Sequence, residues 1–258
     1  MPDHTQATTP RRPACLLPRA LLIDADDTLW EGSIYYARCR EQFTEFMATL
    51  GVDPHSAAEE LRRTQLEAIP TFGYGALGFA AGLEAACRRL LAARGLSASA
   101  ATLAAARAIG LPVFDPPMVL LPGVERALEA LRPSNWLALV TKGNVQAQAN
   151  KLERSGLAGY FDVIYIEPEK DAALYDRIVR ENALDPLHTY MVGNSPRSDI
   201  NAATQAGLRA IHIPHPATWA GERAEILHPD RVVTLPRFAD LPAWLEAAPQ
   251  SNHSAKTT

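Results

Sequence analysis

The chain has 258 residues, 47% of them hydrophobic and 21% charged, with 25 basic against 29 acidic side chains and a formal charge of −4. That balance fits a soluble globular protein with one large domain or two small ones. It lacks the basic footprint of a nucleic-acid or membrane-surface binder, so the expected partners are small molecules. Cys15, Cys39 and Cys87 are odd in number and form no C-x-x-C pair, which argues against a disulfide framework or a cysteine zinc site and fits reduced thiols in the cytoplasm.

Residues 1–18 are rich in Pro, Thr and Arg. Arg11 and Arg12 precede a short apolar stretch at 14–17, but Pro18, Arg19 and Asp24 interrupt it, and no apolar run approaches the roughly 18 residues of a membrane span. A disordered leader is expected over 1–18, and a disordered tail over 248–258. The first strand is expected at 21–24. It runs into "DADDTLW" at 24–30, three carboxylates in four positions directly behind an apolar run, where burying them is costly. From the residues alone, this is either an acidic turn or a reactive cluster.

Residues 32–118 then break the rhythm, because a crossover between parallel strands needs only about a dozen residues. The stretch is rich in Ala, Leu, Arg and Glu, with helical patterns at 35–50, 56–68, 78–93 and 98–109. It is expected to be an inserted helical domain between core segments 19–31 and 119–247. Inside it, "GYGALG" at 73–78 spells G-x-G-x-x-G, yet it follows Ile69 and Pro70 of a helical stretch and no strand leads into it. The spacing is therefore not a dinucleotide fingerprint. A flexible loop facing the active site is expected, with Tyr74 as a substrate contact and an ordinary interhelical turn as the alternative. Asp115, Pro116 and Pro117 mark the return to the core, and Pro122 with Gly123 is expected to open the next helix with proline at its first position.

From there, strand patterns at 136–141, 161–166, 190–193 and 210–213 alternate with helical patterns at 123–132, 145–155, 172–182 and 199–206. Val145, Ala149 and Leu152 share one helical face. This alternation predicts an α/β fold, a Rossmann-like parallel sheet with helices on both faces. Ligands in such sheets bind beyond the carboxyl ends of the strands, where strand order reverses. His212 and His215 bracket Pro214 past the last of these strands. They are expected to be structural or to line the rim, since no third metal ligand is apparent.

Four stretches carry a resemblance. "DADDTLW", "LALVTKGN" at 137–144, Lys170 in "EPEKDAALYD" and "MVGNSPRSDI" at 191–200 occur in that order, and over roughly residues 20–245 the chain resembles the haloacid dehalogenase superfamily. The resemblance implies the phosphatase-like branch, with a helical cap inserted after the first motif. It implies that Asp24 attacks phosphorus to form an aspartyl-phosphate, while Asp26 protonates the leaving oxygen and later activates water. Of the two, Asp26, turned away from the metal, is expected to hold a proton more readily. Thr141 is implied to hold a phosphoryl oxygen, and Lys170 to bridge nucleophile and phosphoryl group as a point charge. Only Lys142, Lys151, Lys170 and Lys256 among the basic residues are lysines, so an ammonium is not this chain's default cation. Lys142, Gly143 and Asn144 join Tyr74 as expected substrate contacts; a solvated loop is an equal reading for Lys142.

The implied cofactor is Mg2+, held by Asp24, the Asp26 main-chain carbonyl, Asn194 and Asp199, with Ser195 as a further oxygen nearby. Asn194 stands where the family commonly has aspartate, which removes one negative charge from the site. Asp27 stands where glycine is frequent, and a turn or helix-cap role with Thr28 is expected. The implied function is a magnesium-dependent phosphomonoester hydrolase acting on a small phosphorylated metabolite. Two alternatives stand beside it. A 2-haloacid dehalogenase needs no acid two residues after the nucleophile, so Asp26 argues against it. A catalytically weak binding or regulatory protein on the same fold is favoured by Asn194 alone. Monomer and homodimer are equally compatible with the sequence.

Overall fold

Leu21, Leu22 and Ile23 are fully buried, which an edge strand or a half-solvated sheet would not permit. They lie on β1 (Ala20–Ile23), a central strand of a computed structural model that describes residues 12–14 and 17–247. β1 pairs in parallel with β2 (Trp136–Lys142) on one side and β4 (Thr189–Gly193) on the other. With β3 (Val163–Glu167), β5 (Arg209–His212) and β6 (Val232–Thr234) the order is β3-β2-β1-β4-β5-β6, all parallel. The period of two sends Leu21 and Ile23 into one hydrophobic cluster, Ala20 and Leu22 into the other. The Rossmann-like α/β fold read from the sequence is the fold of the chain. β6 escaped that reading because three partly exposed residues are too short to show any period.

The long connection after β1 is helical: α1 (Ser33–Thr49), α2 (Pro54–Phe72), α3 (Ala76–Ala92) and α4 (Ala100–Ala108) precede α5 (Val124–Leu131). Tyr35, Cys39, Phe43 and Met47 recur every fourth residue along α1 and meet Leu61, Phe79, Leu83 and Cys87 in a core separate from the sheet's. Asp53 and Ser99 accept hydrogen bonds from Ser56 N and Thr102 N and so cap α2 and α4. Glycines 73 and 75, both at positive φ, turn α2 into α3 with no strand before them, so "GYGALG" is an interhelical turn. No helix among the described residues is long and apolar enough to cross a membrane.

The remaining helices are α6 (Val145–Ser155), α7 (Ala172–Glu181), α8 (Ala202–Gln205) and α9 (Leu241–Ala247). Two expectations need correction here. Pro122 does not open α5; Gly123 is the residue before the helix, at φ 81°, where a Cβ would lie 2.9 Å from that of Ala239. The single helix expected at 199–206 is a π-helical turn over Pro196–Asn201 followed by α8, an irregularity found mostly at functional sites. For Asp27 the turn and cap reading agrees with the structure. It adopts φ 63°, the left-handed region glycine favours, and its Oδ1 accepts from Gly32 N and Ser33 N at the start of α1.

The leader expectation also changes. Residues 1–11, 15–16 and the tail at 248–258 lie outside the described residues, but Arg12 is fixed. Its guanidinium donates to both Asp162 carboxylate oxygens at 2.8 Å and to the Arg132 and Asn135 carbonyls. Asp162 in turn accepts Leu137 N at 2.9 Å, so the pair ties the chain's start to β2, while Ala14 and Leu17 pack on the sheet. Removing a fork of this kind exposes the loss of a charge-assisted bond worth about 1.5–3 kcal/mol, discounted here for partial exposure. Arg12→Ala should lower the Tm by roughly 2–6 °C in a thermal melt followed by circular dichroism. An unchanged midpoint would show that this anchor contributes nothing.

Candidate active site

Strand order reverses between β1 and β4, and the chain's polar clusters meet there. Asp24 directly follows β1, its N–H donating to Val192 O of β4 at 2.9 Å. The buried Lys170 Nζ donates to Asp24 Oδ1 at 2.6 Å, pairs with Asp199 Oδ1 and reaches the Val140 carbonyl at 3.3 Å. Thr28 Oγ1 donates to the other Asp24 oxygen at 3.0 Å, and Ser195 N to Asp199 Oδ2 at 2.9 Å. Burial, then repulsion from Asp199, pushes the Asp24 carboxyl up to about 7 against the opposing pull of Lys170. The carboxylates drive the Lys170 ammonium well above its usual value despite its burial. Thr141 is buried at the end of β2 and lines the same cavity.

Asp26, two residues on, faces a different set of donors. Lys151 Nζ contacts both its oxygens at 2.8 Å, Gln148 Nε2 donates at 2.9 Å and Trp30 Nε1 at 2.8 Å. Burial alone would raise this carboxyl, but Lys151 and the two neutral donors outweigh it and hold it below the usual carboxylate range. The two carboxyls have thus acquired different neighbourhoods: donors hold Asp26 ionised, while Asp24 is pushed up beside Asp199. Gln148 and Lys151 lie on one face of α6, three residues apart, and went unrecognised because that face was read only for its apolar positions. Lys151 had one signal, the scarcity of lysine.

Lys142 and its neighbours are committed to other contacts. Its ammonium sits 4.2 Å from the centre of the Tyr74 ring and pairs with Glu169 at 3.1 Å and Glu222 at 2.5 Å. Tyr74 OH donates to Glu169 at 2.8 Å, so the turn at 73–75 does face the site. Asn144 Oδ1 accepts Ala147 N at 3.0 Å and caps α6, and Gly143, at φ 137°, supplies the turn before it; the Asn144 side-chain oxygen is thus occupied by the helix. Ser195 Oγ donates to Glu222 Oε2 at 2.6 Å and lies beside Ser198 Oγ, which turns it toward Glu222 rather than toward the Asp24–Asp199 pair. Neither Glu169 nor Glu222 was foreseen. Glu222 sits in a short turn after β5, where no sequence period marks it.

Two buried carboxylates converging on one lysine, with Asp24 raised to about 7, form a site that additional positive charge would relieve. Asn194 donates through Nδ2 to Thr218 Oγ1 at 3.0 Å, leaving its carbonyl oxygen as its available ligand atom. Asp24, Asp199 and Asn194 make an all-oxygen donor set of the kind hard divalent cations take. His215 also gains neighbours the sequence had hidden: Nδ1 is 3.7 Å from Asp27 Oδ1 and Nε2 is 3.4 Å from Glu31 Oε2. Each ring nitrogen faces a different carboxylate, the geometry of a bridge at the rim. His212 lies apart from that group, and burial pushes its imidazole down.

Both carboxylate clusters open into a cavity of about 800 Å3 between the strand ends and α1–α3. Residues 18–207 match the family described as haloacid dehalogenase-like hydrolase. Among curated proteins, the chain is 34% identical over 94 residues to pyrimidine 5′-nucleotidase YjjG of Escherichia coli (strain K12), covering 34% of this chain and 42% of that one. It is also 34% identical over 100 residues to phosphoserine phosphatase of Thermus thermophilus, covering 36% and 40%. The chain thus spans about two fifths of the length of these relatives. A longer match, 25% identical over 201 residues and covering 76% and 83%, is to glyceraldehyde 3-phosphate phosphatase of Methanopyrus kandleri. Among solved structures, a haloacid dehalogenase-like family hydrolase from Xanthomonas campestris superposes with a TM-score of 0.75 at 26% identity, covering 93% and 96%. A 2-haloacid dehalogenase from Pseudomonas syringae pv. Tomato shares the fold, with a TM-score of 0.51 at 23% identity over 88% and 98%.

Gly193 is what lets the Asp199 carboxylate lie against the end of β4: a Cβ there would overlap that carboxylate. Gly193→Ala should therefore destabilise the protein by about 1–3 kcal/mol, the usual cost of overpacking, and displace Asp199 from Lys170. Urea unfolding measures the loss. A variant as stable as the parent would mean that the close approach is not a constraint.

Proposed function

The chain belongs to the haloacid dehalogenase-like hydrolases, and on that premise we propose that it hydrolyses phosphate monoesters through an aspartyl-phosphate formed on Asp24. The observation that carries this reading is Asp26. A carboxylate two residues past the nucleophile, facing the same cavity and held by Lys151, Gln148 and Trp30, serves proton transfer at an ester oxygen. Displacement of halide from carbon leaves it no task. Nucleotidase and phosphatase relatives support the same class of reaction.

In the first step an Asp24 oxygen bonds to phosphorus as the ester P–O bond breaks, and the Asp26–Lys151 pair delivers the proton to the departing oxygen. In the second, Asp26, held ionised, takes a proton from the water that attacks the acyl phosphate, restoring the Asp24 carboxylate and releasing inorganic phosphate. Lys170 and Thr141 hold phosphoryl oxygens throughout, because such transfers depend chiefly on positioning and electrostatics. Magnesium, held by Asp24, Asn194, Asp199 and the Asp26 main-chain carbonyl, would neutralise charge on the transferring group. The helices α1–α4 act as a cap that excludes water while the intermediate forms, and the buried, free Cys39 and Cys87 support work in the reducing cytoplasm. The substrate is a small phosphorylated metabolite.

Assay of the purified protein on p-nitrophenyl phosphate and a panel of phosphate esters, with magnesium or with EDTA, tests the reading. Hydrolysis should require the metal. Asp24→Asn should abolish it, and Asp26→Asn should slow it by roughly 10²- to 10⁴-fold. Chloride release from 2-chloropropionate without any ester hydrolysis would reverse the assignment.

The metal ligands are tested separately by a magnesium titration. Asn194→Asp returns a negative charge and should lower the half-saturating concentration by at least roughly threefold, while Asp199→Ala should raise it or eliminate activity. If neither variant moves it, these residues do not hold the metal.

A further inference from the structure

A cavity of about 800 Å3 far exceeds what one phosphoryl group fills and lies in the range of sites for whole metabolites. The strand ends take the phosphoryl group, so what surrounds the rest of the substrate comes from the inserted helices. Four cations along this cavity are matched: Lys142 with Glu169 and Glu222, Lys151 with Asp26, Arg154 with Asp115, Lys170 with Asp24 and Asp199. Arg40 on α1 is the exception, with no hydrogen-bond or ion-pair partner among the described residues. Burial works against its charge, and the field of Glu41 does not make up the difference. A guanidinium does not shed its proton in a protein, so this charge is retained at a cost that a bound anion would remove.

Gln65 on α2 carries a second unmet demand. It lines the same cavity, is more than nine-tenths buried, and its Nε2 has no acceptor. Tyr36 and Phe79 add an aromatic wall to the same cavity. Tyr36, one helical turn before Arg40, packs edge-on against Phe79 at 5.0 Å, and burial together with the charge of Asp26 pushes its hydroxyl up. The same face of α1 therefore runs from the neighbourhood of Asp26 to Arg40.

We propose that the leaving group of the substrate carries its own anionic group, a carboxylate or a second phosphate, received by Arg40 with the Gln65 amide in the cavity that Tyr36 and Phe79 also line. The physiological substrates are then phosphate monoesters with a second acidic end. This specificity rests on the phosphatase reading, but the binding of the acidic end can be measured without turnover.

Three esters separate the possibilities: 4-carboxyphenyl phosphate, 1,4-phenylene bisphosphate and the neutral 4-carbamoylphenyl phosphate. The wild type should favour at least one charged ester over the carbamoyl ester by roughly 10-fold or more in kcat/KM, mainly through KM. Which charged ester leads distinguishes carboxylate from phosphate. In Arg40→Gln that ratio should fall toward one, with Arg40→Lys retaining part of it and showing that the fold is intact. Equal use of all three esters by the wild type, or an unchanged ratio in Arg40→Gln, overturns the proposal. Calorimetric binding of 4-hydroxybenzoate against 4-hydroxybenzamide gives the same comparison in the absence of catalysis. If no ester is hydrolysed, the phosphatase reading fails, and binding alone decides the role of Arg40: selective loss of 4-hydroxybenzoate in Arg40→Gln upholds it, and equal affinities refute it.

Discussion

Two buried carboxylates at the ends of neighbouring strands repel each other and have given up hydration, and Lys170 between Asp24 and Asp199 is what makes the arrangement tolerable. Each part nearby follows from that need. The Ser195 amide neutralises part of the Asp199 charge, the Val140 carbonyl steadies the ammonium, and Gly193 leaves room for the carboxylate. The topology brings these groups together. Only where strand order reverses do the segments after β1 and β4 diverge enough to leave a pocket between them.

The contrast between Asp24 and Asp26 follows from the same geometry. Two residues apart in the chain, they end in different neighbourhoods: one against a second carboxylate and a lysine, the other against Lys151 and Gln148 of α6 and the nearby Trp30. Burial raises both, and only the second has donors enough to overcome it. The motif records neither Lys151 nor the proximity of Asp199, so it does not show these neighbourhoods.

What the sequence made legible was whatever has a period or a motif. The buried strands around β1 were visible as short apolar runs ending in polar turns, and the four helices after it through their helical patterns. Asp24 was visible as a carboxylate directly behind an apolar run, and Lys170 and Asp199 through the motifs that carry the family resemblance. Asp27 was legible through chemistry, since an aspartate can both enter the left-handed region and cap α1. The partners of Asp26 and the Lys142–Glu169–Glu222 group were not, because they come from helix faces and loops that meet only after folding. Glu222 is 80 residues from Lys142, and no local pattern encodes such a distance. Arg12 was misjudged for a related reason: a proline-rich start resembles a tail until its distant partner, Asp162, is known.

The proposed reaction turns on covalent phosphorylation of Asp24. Slowing breakdown of the intermediate with Asp26→Asn, mixing with p-nitrophenyl phosphate, quenching in acid within seconds and mapping peptides by mass spectrometry tests it most directly. A gain of about 80 Da on Asp24 is expected, labile to hydroxylamine as an acyl phosphate is. Phosphate released with the Asp24 peptide unmodified throughout, or an adduct carried by any other residue, would contradict it.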